Sequence, residues 1–151
     1  MTQPIAQRSG VRPDTSTAGP HRQLTQVASP QVWGSLAARL FSLAGVSEGH
    51  SSVSLATSRA LLLDRSEANG PVEAFLGGTE FAHLHDVFDT SLHLCLPLDR
   101  ARAICDLGWG EPHGYAEQGT EIMVYAPRDH AELETVMSIV VESLAFARGE
   151  H

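Results

Sequence analysis

Three histidines stand in two otherwise apolar runs, Phe81-Ala82-His83-Leu84-His85 and Ser91-Leu92-His93-Leu94-Cys95. Imidazole titrates near neutral pH, so grouped histidines can move protons or ligate a metal. Side chains alternate along a strand, which puts Phe81, His83 and His85 on one face. A hairpin centred on Phe88 pairs His83 with His93, His85 with Ser91 and Phe81 with Cys95. Its five-residue connection, Asp86 to Thr90, lies within the usual range for hairpins. Leu84, Leu92, Leu94 and Leu96 then share the opposite face with Ala82. All three imidazoles therefore line one wall turned from a leucine layer. A single strand histidine is commonly no more than a hydrogen-bonded side chain. Three on one face, whose charged forms repel, weigh toward function.

A second group follows at Gly108-Trp109-Gly110-Glu111-Pro112-His113. Pro112 biases Glu111 to extended geometry, making this a rigid presenting segment. Glu111 and His113 supply a carboxylate and an imidazole for proton transfer. Trp109 offers a flat wall to an aromatic ligand, or else plugs the core.

The elements that must hold these groups are legible in outline. Ser29 caps and Pro30 opens a helix with Val32, Leu36, Leu40 and Leu43 inward, stopped by Gly45. Short apolar runs at Val53–Ala56, Ala60–Asp64 and Val72–Leu76 read as strands, the last two separated by Asn69-Gly70-Pro71. Two strands carry the histidines. A helix starts at Asp99, turns Ala103, Ile104 and Leu107 inward and ends at Gly108. A strand follows at Ile122–Tyr125. Asp129 and Glu132 form a capping box for a last helix whose apolar face is Leu133, Val136, Met137, Val140, Val141 and Leu144. Neighbouring strands joined by short turns predict a single α+β domain. Its sheet is antiparallel or mixed, with helices packed mainly on one face. Residues 1–30, with four prolines and no periodic apolar pattern, read as a disordered tail; residues 31–151 form the domain.

Composition narrows the functions. The net charge is −8, with a basic first thirty residues ahead of an acidic body, which argues against nucleic acid as a partner. The absence of lysine excludes Schiff-base chemistry. Cys95 and Cys105 match no zinc or redox spacing and read as small buried hydrophobes. No apolar run reaches membrane-span or signal length, so a cytoplasmic protein with no membrane partner is expected.

The spaced set resembles the luciferase-like domain family, which includes fungal luciferase and many small bacterial proteins. The resemblance rests on Glu80-Phe81-Ala82-His83-Leu84-His85, then Ser91-Leu92-His93-Leu94 closing on Leu96-Pro97, then Gly108 with Glu111-Pro112-His113. Val124-Tyr125-Ala126-Pro127-Arg128-Asp129 and Phe146-Ala147-Arg148 extend it, so that it covers about residues 35–148. This chain departs from the family at Asp86 and Gly114, where bacterial relatives carry proline, and at Thr90, where glycine is common. It is also shorter than the luminous enzymes and lacks their N-terminal hydrophobic segment. The resemblance implies oxidation of a hydroxypyrone-like molecule by dioxygen without nucleotide or flavin. Light emission is not expected.

Three functions compete. The first is a binder of a small aromatic or enolic molecule, acting as a cofactor-independent oxygenase or related acid–base enzyme. In it His83 or His113 is the base, Glu111 orients or shares the proton, and His85, His93, Trp109 and Phe81 bind substrate. No resident metal or other cofactor is assigned. The second is a cupin-like non-haem metal enzyme built on His-x-His, against which Asp89 stands where cupins carry glutamate. The third is a non-catalytic ligand-binding module, with the histidine face forming a homodimer interface.

Overall fold

The structure is a computed structural model that describes residues 4–114 and 119–150. Its centre is a six-stranded sheet in the order β1-β2-β3-β4-β6-β5, every neighbouring pair antiparallel. The strands are β1 Val46–His50, β2 Arg59–Leu63, β3 Glu80–Leu84, β4 Leu92–Cys95, β5 Gly110–Pro112 and β6 Glu121–Val124. Three helices accompany them: α1 Pro30–Leu40, α2 Leu98–Asp106 and α3 His130–Arg148. The expected α+β class holds, with an antiparallel sheet.

The hairpin is as the histidine pattern predicts. His83 faces His93, Ala82 faces Leu94 and Leu84 faces Leu92. The backbone of His85 donates to Ser91 O across the end of the ladder, at 2.9 Å. α3 packs across β3 and β4 and against α1, so Leu84, Leu92 and Leu94 are fully buried. Each such leucine contributes about 1.5–3 kcal/mol by leaving water.

Local signals explain the helices. Ser29 Oγ accepts from Val32 N at 3.2 Å, and Pro30 fills the first turn. Asp129 accepts from Glu132 N at 2.8 Å. The capping box is only half made, because the Glu132 carboxylate turns outward to the Arg128 backbone and guanidinium. Val141, expected inward, is 47% exposed, while Ile139, Phe146 and Ala147 are buried.

Several expectations are corrected. The strand read at Val53–Ala56 is irregular, and that at Val72–Leu76 contains a single 3-10 turn, Val72–Ala74. β1 and β5 were not foreseen; both are short outer strands. α2 begins at Leu98, and its buried residues are Ala101 and Ile104.

The largest correction concerns the N-terminal segment. Residues expected to be disordered lie across the sheet as an ordered strap. Arg8 N donates to Leu107 O, and Trp109 Nε1 donates to Ala6 O. Arg12 reaches Gly110 O and Cys105 O. Gln23, 2% exposed, accepts from Ala126 N while its own N–H reaches Asp89. Ala28 N donates to Thr90 Oγ1 at 2.8 Å. Thr90 is a left-handed residue (φ 65°), the conformation glycine adopts without strain. Its hydroxyl, which pins the strap, is the compensating contact.

Candidate functional site

The imidazoles of His83, His85 and His93 do share one side of the sheet, opposite α3. The face is not open to water: His83 is 1%, His85 6% and His93 4% exposed. It borders a cavity of about 480 Å³ closed in part by the strap residues Pro20, His21 and Arg22 and by the loop at Val53–Ser58. His113, at the end of β5, also lines it.

Four imidazoles thus surround His93, those of His21, His83, His85 and His113. His83 Nε2 lies 3.0 Å from His93 Nδ1, and His93 Nε2 lies 3.0 Å from His21 Nδ1. The rings of His85 and His113 sit 4.7 and 4.5 Å from the His93 ring, centre to centre. The outer nitrogens meet carboxylates. His83 Nδ1 contacts Glu80 at 2.9 Å, His21 Nε2 contacts Glu111 at 2.8 Å, and His85 Nδ1 contacts Asp89 at 3.1 Å and Ser91 Oγ at 2.9 Å. His113 Nε2 lies 3.5 Å from Glu121. A carboxylate behind an imidazole fixes the tautomer and turns the other nitrogen inward.

Burial sets the charge states. Desolvation, followed by the neighbouring imidazoles, pushes His93 well below the ordinary histidine range. Desolvation also lowers His83, against the pull of Glu80. His113 falls to about 4, from desolvation first and then His21, His83 and His85. Burial works upward on Glu80 and Asp89, yet hydrogen bonds from His83, Ser51 and Ser52, and from His85 and Ser91, bring both carboxyls below normal. Glu121 is shifted the other way. Burial, then Glu80, raises it to about 7.

The remaining expected site residues fall elsewhere. Phe81 is fully buried in the apolar core. Trp109 is a core plug, 5% exposed, its indole N–H spent on Ala6 O. Glu111 is engaged with other partners. It holds His21 and accepts from Tyr125 Oη at 2.9 Å and Thr15 Oγ1 at 2.9 Å, while Glu121 is the carboxylate beside His113.

Four participants were missed: His21, Glu80, Asp89 and Glu121. Glu80 and His83 sit on opposite faces of a regular strand. The β2–β3 register slips, however, so that Leu61 faces Ala82 and Leu62 faces Glu80. Phe81 becomes the extra residue, falls into the core, and Glu80 turns to the histidine side. His21 carried no local signal, because its partners lie 72 and 90 residues away.

Residues 78–143 match the family model described as Luciferase domain. Curated proteins named Luciferase from Armillaria gallica, Armillaria mellea and Neonothopanus nambi are each 37% identical over 73 residues. Those alignments cover 44% of this chain and 27% of each relative. Residues 78–143 are therefore similar to a luciferase domain, and the chain spans about a quarter of the length of the curated relatives it matches. No solved structure matches it. The matched stretch contains His83, His85, His93 and His113 and excludes the strap with His21.

Proposed function

We propose that the cavity binds a small enolic or phenolic molecule of the hydroxypyrone or catechol kind and performs acid–base chemistry on its hydroxyl. The observation that carries this reading is the cavity of about 480 Å³ walled by His21, His83, His85, His93 and His113. A ring of six to ten heavy atoms fits such a volume. His113, beside the cavity with Glu121 at 3.5 Å, is the proposed base. His83 is a positioning residue, since both its nitrogens are engaged by Glu80 and His93. Glu111 acts at one remove through His21. The luciferase-like domain supports an oxygenase outcome. Loss of the hydroxyl proton to imidazole leaves an enolate, whose carbon forms a C–O bond to dioxygen as that oxygen accepts the electron pair and becomes a peroxide anion. The imidazolium returns the proton to that anion.

Titration calorimetry with 4-hydroxy-2-pyrones and catechols, run beside an oxygen electrode, tests the proposal. Saturable binding to the wild-type chain is expected, weakened at least about tenfold (~1.4 kcal/mol) by His113→Ala. A folded wild-type protein that binds neither class rejects it.

A further inference from the structure

The hydrogen bonds of the cavity wall are one proton short. Glu80, His83, His93, His21 and Glu111 form a line joined by four contacts, of 2.9, 3.0, 3.0 and 2.8 Å. Each contact needs one proton, and each neutral imidazole brings one, so three imidazoles supply three. The carboxylates are not donors. Glu80 accepts from Ser51 Oγ and Ser52 N as well as His83, and Glu111 accepts from Tyr125 Oη and Thr15 Oγ1 as well as His21. With neutral rings, one contact must set two lone pairs against each other inside the protein, a costly arrangement. A cation resolves it.

We propose that the cation is a divalent transition-metal ion of the zinc or ferrous type, held by His83, His85 and His93. The ligand nitrogens of these three lie within 4.8 Å of one another. The contact of 3.0 Å between His83 Nε2 and His93 Nδ1 matches two nitrogens on one ion, which metal–nitrogen bonds of about 2.0–2.1 Å place ~2.9–3.4 Å apart. Glu80 and Asp89 accept from the Nδ1 atoms of His83 and His85, leaving both Nε2 atoms for the ion. His93 then gives its Nε2 proton to His21, whose own Nε2 proton goes to Glu111. Every donor and acceptor in the line is satisfied.

The second trio, His21, His93 and His113, meets the same distance criterion but has the wrong orientation. Its rings lie within 13–28° of parallel, at centroid separations of 4.5–5.1 Å. A lone pair lies in its ring plane, so stacked rings do not converge on one point. In the chosen trio His93 stands at 82° to His83 and 80° to His85. Three protein ligands leave a coordination position facing the cavity, the arrangement of a metal that also takes an oxygen ligand. The inference holds whatever the substrate.

Chelator-treated full-length protein, titrated with Zn²⁺ or Co²⁺ and then gel-filtered, should retain one ion per chain. His85→Ala, or His85→Gln if the alanine variant does not fold, should weaken retention about 10–100-fold, whereas His113→Ala should not. A folded wild-type chain that retains no ion overturns the proposal. So does an ion lost from His113→Ala and kept by the His85 variants.

Discussion

At the scale of single residues, burial makes Glu121 differ from its neighbours. Its carboxyl titrates near 7, raised by burial and then Glu80, against 4.5 in the unfolded chain. Between those values the folded state binds more protons, so this group's contribution to stability falls as pH rises from about 4.5 to 7. His113 works in the opposite sense. Its folded pKa of about 4 lies below 6.5, so its contribution rises with pH across that interval. Glu121→Gln removes the first effect alone. Its stability relative to wild type should improve by on the order of 1–2 kcal/mol between pH 5 and pH 8, a value reduced because the side chain stays 19% exposed. Urea melts at the two pH values measure this, and an unchanged difference would contradict it. The wall of His83, His85 and His93 was legible because alternation and a five-residue turn fix which side chains meet. Glu80 was not, since one slipped residue at Phe81 reverses the alternation.

At the scale of elements, the unforeseen pieces are those whose stability comes from partners rather than from pattern. β1 reads Val-Ser-Glu-Gly-His and β5 is three residues long, so neither shows alternation. β5 nevertheless carries Glu111 and leads into His113. A Cβ added at Gly110 would lie 2.2 Å from Met123 O, so the strand would have to leave its place beside β6. Gly110→Ala is expected to cost roughly 2–3 kcal/mol in a thermal or urea melt; a neutral effect would show that β5 is not seated as described. The strap is a second case. Its composition suits disorder, yet its backbone and arginines find acceptors on α2, β5 and the hairpin turn. Trypsin should therefore cut slowly after Arg8 and Arg22 in the native protein and quickly after denaturation. Rapid native cleavage at Arg22, next to the buried Gln23, would refute the ordered strap.

At the scale of the whole molecule, one α+β sheet separates two jobs. Its helix-covered face supplies the leucine core, and its other face, under the strap, holds the imidazoles. The luciferase-like match ends short of the strap, so His21, which completes the line to Glu111, comes from outside the stretch shared with the family. Among the described residues no helix is long and apolar enough to cross a membrane. The measurement that bears most directly on the account is long-range proton–nitrogen NMR of the histidine rings, with and without saturating 4-hydroxy-2-pyrone. The rings of His21, His83, His85, His93 and His113 should show slowly exchanging N–H protons and shift together on addition, while the exposed His50 and His130 stay still. Five rings whose N–H protons exchange freely with water, and that ignore the pyrone, would contradict the cluster and the function proposed for it.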